Sequence, residues 1–402
     1  MKVARLTALA LLAAALPPPA PAQSEAKALV SWKGQRHALE ALPAEVPEAA
    51  RAAVAAWAAW AGEARYSMDL GKDGRVMLLT PSGASASRYR TLAERTLQLF
   101  DKLLPAAAPK TPQGPVQPPP PEDPEGPLPE DPGGATGPKA RPPQVGEPRW
   151  SYAWGAGTRP LDTETAVLVV LRNPADYAKL LDFLAKGWPY LAEWTAQAKG
   201  ASGFVLEEPL AGAYLLSAPG MEEWDPDAEL VHRTAELSLL RRFGRQPYWV
   251  QQGLAWQIEQ SIKGGIYCFP YRTGFVGVGE HGGWDKDLKR AYAELPGDEV
   301  TLSDVTGLRR GVWDEPRAKA AWGAVGFLLR AHAGGFRDAL AELYADWDAN
   351  SRVERGGGHW VRNLDYEVPP ATQRAILERT IGPEVLAELA LSFQKGKDYR
   401  PR

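Results

Sequence analysis

The chain has 402 residues, 45% of them hydrophobic and 24% charged, the composition of an ordinary globular protein with room for two or three folded units. Its 46 basic and 49 acidic residues nearly cancel, which excludes a broad basic field for nucleic acid and an acidic tail for a cationic partner. The single cysteine, Cys268, excludes an internal disulfide, and the ordinary use of such a residue is as a small buried apolar group.

In chain order, the basic start Met1-Lys2-Val3-Ala4-Arg5 leads into an apolar run from Leu6 to Leu16 and then Ala20-Pro21-Ala22. This predicts a secretory signal peptide over residues 1–22, cut near Ala22, and an exported mature chain in the periplasm or outside the cell. The run is shorter than the roughly 20 apolar residues that span a bilayer, and no later run is longer, so no transmembrane segment is expected. No cysteine follows the run, which argues against a lipid anchor there. Residues 23–104 are predicted to hold an Ala-rich helix over 49–61, a buried strand at Arg75–Thr80, and a helix over Tyr89–Leu104 with Leu92, Leu99, Phe100 and Leu103 on one face.

Between Pro105 and Pro148 lie 16 prolines with hardly a large apolar side chain, so 105–148 is read as an extended, disordered insertion. Pro118–Pro121 could dock on a proline-reading groove, but a solvated spacer is the simpler reading. A second strand-helix unit follows within 149–224, at Thr165–Leu171 and Pro174–Leu184, with a short strand at Ala213–Ser217. Strand-helix units on both sides of the prolines predict an insertion inside one α/β subdomain rather than a linker between domains.

Residues 225–395 read as a mainly helical domain, and 396–402 as a tail. Asp225-Pro226-Asp227 starts a helix that Gly244 closes, and a second helix runs from Pro247 to about Ile262. A glycine-rich aromatic loop or hairpin occupies 264–283, and helices are expected at 315–333, 336–347, 370–379 and 383–394. The predicted fold class is α+β, a small α/β subdomain followed by this helical domain.

The first helix of that pair carries Leu230-Val-His232-Arg233-Thr-Ala-Glu236, and the second opens Pro247-Tyr-Trp249-Val-Gln-Gln252-Gly253-Leu-Ala255. The pair resembles the gluzincin, or peptidase MA-like, zinc metallopeptidases, in which H-E-x-x-H on one helix precedes W-x-x-E-G-x-A on the next. Ala318–Leu329 looks like the helix that backs the metal site in secreted, mostly uncharacterised bacterial members, and 165–184 looks like part of their N-terminal subdomain. The resemblance implies that the histidines of the motif bind zinc, that the Glu between them activates water, and that the Glu before Gly is the third ligand.

Carried over position by position, His232 keeps the first ligand, Arg233 stands at the general base, Glu236 at the second histidine and Gln252 at the third ligand. A guanidinium about 6 Å from a dication repels it by on the order of 5 kcal/mol at an effective dielectric near 20, less if it reaches solvent. His232 and Glu236 share a helix face at i and i+4, and Gln252 both donates and accepts. The three are expected to close a hydrogen-bond cluster where the resemblance would place zinc. No catalytic residue and no resident cofactor are therefore expected, zinc being the one metal the positions suggest.

Other residues are weighed against plainer uses. Trp256, one turn after Gln252, is a candidate cleft residue, and Glu259 and His281 are candidate extra ligands, although Glu259 lies about 10 Å along the helix from Gln252. His281 follows Gly274-Phe-Val-Gly-Val-Gly279 by two residues, in a stretch whose glycines do not open a helix after a strand and so do not read as a phosphate loop. His332 reads as a residue at a helix C-terminus and His359 as a loop residue. Of the 15 tryptophans, Trp57, Trp60, Trp249 and Trp322 fall at core positions of helices. Three functions fit these residues: an exported inactive pseudo-peptidase that binds a peptide or protein in the vestigial cleft, a divergent zinc hydrolase using His232 and Glu236, and a structural cell-envelope protein.

Overall fold

The computed structural model describes residues 29–105, 150–151, 161–217, 225–267, 283–293, 305, 308, 315–354, 360–363 and 366–396. Residues 1–22, read as a leader, nearly all of the proline-rich stretch, Cys268, His281, His359 and residues beyond Gly396 lie outside the described residues.

The N-terminal part is built on seven strands: β1 (Leu29–Trp32), β2 (Gln35–Ala38), β3 (Tyr66–Leu70), β4 (Val76–Pro81), β6 (Ala166–Leu171), β7 (Gly203–Leu206) and β8 (Ala211–Leu215), with a short β5 (Trp150–Ser151) elsewhere. Their order in the mixed sheet is β2-β1-β3-β4-β6-β8-β7. At its centre β4, β6 and β8 run parallel, which explains why Met77-Leu-Leu79 and Val167-Leu-Val-Val-Leu171 are apolar without alternation. Odd residues such as Met77, Leu79, Val167 and Val169 face a core shared with α1 (Glu48–Ala64), α3 (Pro174–Gly187) and α4 (Ala192–Ala198). Even residues such as Leu78, Leu168 and Val170 face α2 (Ala86–Leu103) and α5 (Pro226–Phe243).

The strands β4 and β6, on either side of the prolines, are direct hydrogen-bonded neighbours with Val76 opposite Ala166. Trp150–Ser151, the first described residues after the prolines, pair instead with β10 (Trp360–Asn363), which also pairs with β9 (Arg352–Glu354). A protease nick between Pro105 and Pro148 should leave two fragments that co-elute on native sizing, because the β4 and β6 ladder holds them. Fragments that separate would mean the sheet does not bridge the stretch.

The helical part contains α6 (Tyr248–Lys263), α7 (Trp284–Tyr292), α8 (Glu315–Ala331), α9 (Ala333–Asn350), α10 (Pro370–Thr380) and α11 (Val385–Lys395). Gly253 lets α6 approach α8 closely, since a Cβ there would stand 2.7 Å from the Ala321 carbonyl and from Val325.

Helix α5 belongs to both cores. Leu230, Leu237 and Leu240 face the sheet, while Val231, Ala235, Leu239 and Phe243 enter the core of the helical part with Trp249, Leu254 and Trp322. A helix covered on all sides has no solvent face, so its polar residues must be satisfied internally. That requirement shapes the site.

Candidate functional site

Asp225 fixes the start of α5: its side chain accepts from the Asp227 and Ala228 amides, and Pro226 sits at the first position. One to three turns further on, Glu229, His232, Arg233 and Glu236 are all buried, with His232 fully inaccessible. Opposite them α6 contributes Gln251, Gln252 and Glu259, also buried.

The side chains form one connected network. Gln252 Nε2 donates to Glu236 Oε1 at 2.6 Å, and Gln251 Nε2 donates to the same oxygen at 3.2 Å. A carboxylate only accepts, so the Gln252 amide nitrogen must face Glu236 and its oxygen must face the imidazole. His232 Nε2 lies 3.1 Å from Gln252 Oε1 and is therefore a protonated donor. The other ring nitrogen, Nδ1, lies 3.1 Å from Glu259 Oε2, and the second Glu259 oxygen accepts from the Tyr267 amide. Burial pulls the His232 pKa down, but the Glu259 hydrogen bond and the charges of Glu236 and Glu259 outweigh it and hold it above the ordinary value. Burial pushes the Glu259 carboxyl above its usual range, against the opposing pull of His232 and the Tyr267 amide. Both shifts act in one direction, keeping a shared proton on the pair.

Arg233 is nearly inaccessible to solvent. Its Nε donates to Glu229 Oε1 at 2.7 Å and its Nη1 to Glu236 Oε2 at 3.0 Å, the i−4 and i+3 neighbours on the same helix. Glu236 therefore accepts from Arg233, Gln251 and Gln252 together.

The expected cluster of His232, Glu236 and Gln252 is present, with Gln252 as the bridge between the other two. Glu259 is closer to the centre than its distance along α6 suggested, because it meets the far edge of the His232 ring. An ion at Nε2 and a carboxylate at Nδ1 lie on opposite edges of one imidazole, so Glu259 is not placed as a ligand beside Gln252. Trp256, read as a cleft residue, is completely buried, its ring 6.3 Å from His232 and packed edge-on at 5.4 Å against Trp284. His332 contacts Glu388 at 2.7 Å, far from the cluster in the chain. Trp57, Trp60, Trp249 and Trp322 are core residues as expected.

These residues do not fit a zinc ion. A zinc-binding imidazole nitrogen must offer a lone pair, whereas His232 Nε2 carries a proton fixed by Gln252. The Glu236 oxygens are taken by three donors, one of them the Arg233 guanidinium, whose charge beside them opposes a metal cation. Among the described residues no group of three or more His, Cys, Asp or Glu side chains is arranged to hold a metal.

Sequence reasoning missed Glu229 and Gln251. The Glu229 signal was present, since an i,i+4 Glu-Arg pair on a helix is a common ion pair. Gln251 points to Glu236 only because α5 and α6 pack directly together, which no local pattern encodes. No family model matches the sequence, and no curated protein is significantly similar to it.

Proposed function

We propose that this chain is an exported, catalytically inactive relative of the zinc metallopeptidases, kept as a binding or structural module. The observation that carries the reading is the protonated His232 Nε2, held by Gln252 in a network where Arg233 stands between Glu229 and Glu236. A peptidase of this class needs a lone pair at that nitrogen for the metal and a free carboxylate beside it for water activation. Here the first is protonated and the second is replaced by a cation already committed to two carboxylates. Export rests on the leader in residues 1–22, and no described helix is long and apolar enough to cross a membrane.

The mature protein should show no chelator-sensitive cleavage of unfolded casein, with or without added zinc. Cleavage that chelator stops and His232→Ala abolishes would establish the divergent hydrolase instead.

A further inference from the structure

The buried network is closed to solvent, but an open cavity of about 370 Å³ lies beside the start of the same helix, lined by Ser87, Arg88, Thr91, Leu92, Arg95 and Asp227. We infer that this cavity binds a small organic oxyanion, a carboxylate or phosphate held by Arg95 and Arg88 with its apolar part against Leu92. The volume is in the range of small-molecule sites. One wall is a single face of α2, because Arg88, Thr91, Leu92 and Arg95 follow one another at helical spacings of three, four and seven. The other wall is Asp227, in the first turn of α5.

The charge balance decides the sign of the ligand. Asp227 is already shared by Arg88 and by Lys263, whose Nζ lies 3.7 Å away. Lys263 also holds Asp225 at 3.0 Å, and Asp225 spends its other oxygen on the amides that start α5. Both acids are therefore neutralised, and neither is left to attract a cation. Arg95 is exposed and has no ion-pair partner among the described residues. Arg88 is largely exposed and keeps further N–H donors beyond the one on Asp227. Of the lining residues two are arginines and one is an acid, which leaves a net positive wall. The Thr91 hydroxyl proton goes to the Ser87 carbonyl at 2.9 Å, so Ser87 is the hydroxyl placed to donate to a ligand. A planar oxyanion matches the guanidinium fork, and Leu92 supplies the apolar floor for what carries it.

The site shares no residue with the His232 network, so its failure leaves the inactive-peptidase reading untouched. The test is calorimetric titration of the full mature chain, at low salt, with N-acetyl-leucine, its neutral amide and inorganic phosphate. At least one of the two anions should bind, the amide should not, and Arg95→Gln should weaken binding by about tenfold or more. Lys102→Gln, in the last turn of α2, should leave it unchanged. Carboxylate binding alone assigns the site to free peptide or acid termini, and phosphate binding alone to phosphorylated ligands. Arg95 makes no ion pair that folding needs, and a thermal melt of the variant checks this. Failure of both anions, equal binding of acid and amide, or identical affinity in Arg95→Gln would overturn the inference.

Discussion

Arg233→Met should destabilise the protein by about 3–5 kcal/mol, the range for breaking a buried ion network by removing one partner. The side chain is nearly inaccessible and holds Glu229 and Glu236, both themselves buried. Methionine keeps much of the volume, so the loss isolates charge rather than packing. Two buried carboxylates would lose the cation between them, and Glu236 would retain only the two neutral glutamine amides. Urea melts should show a lower midpoint with an unchanged slope. Converting Glu229 and Glu236 to Gln in the same background should restore much of the stability, because the uncompensated charges then disappear. A melt of Arg233→Met that matches the parent would mean the guanidinium is not the hub of the network.

The second large effect is expected at the end of α5. Gly244 has φ 64° and ψ −160°, a backbone region open almost only to glycine, and a Cβ there would stand 2.2 Å from two carbons of the Tyr344 ring. Gly244→Ala should therefore combine strain of about 1–3 kcal/mol with overpacking of similar size. Tyr344 cannot move freely, since it stacks on Trp347, which is covered by Arg245 and Arg362 and donates its Nε1 proton to the Tyr366 carbonyl at 3.2 Å. Adding Tyr344→Ala should recover the steric part and leave the strain. If Gly244→Ala melts like the parent, the turn between α5 and α6 does not dock on α9 in this way.

The helices that build the site were legible because their punctuation is strong. Asp225-Pro226, Gly244 and Pro247 mark their ends, and β4 and β6 announce themselves as unbroken apolar runs. The sheet was read with too few strands for reasons that are local. β1 and β2 are four residues each, joined at Lys33-Gly34 with positive φ at both positions, a tight turn whose Lys-Gly sequence is a weak signal. β3 hides its burial behind Asp69, a charge made tolerable by Arg90 at 3.1 Å. In the site, helical spacing brought His232 and Glu236 together, and Gln252 was added to them by the resemblance to the peptidase motif. Spacing undervalued Glu259, because the distance along α6 ignores that the imidazole of the facing helix presents nitrogens on two edges. His232 spans two turns of α6, from Gln252 to Glu259. Trp256 follows Gln252 by one turn, but packing against Trp284 buries it, a contact that depends on α7.

We propose that hydrogen bonds and a buried cation fill the place that zinc takes in the resembled peptidases. Titration of zinc into chelator-stripped protein tests it most directly, run beside the variant carrying Arg233→Glu, Glu236→His and Gln252→Glu. The parent should bind no zinc at this site and its melting temperature should not respond to the metal, while the triple variant should take up one ion and be stabilised by it. Stoichiometric zinc uptake by the parent that is lost in His232→Ala would show instead that His232 is a metal ligand.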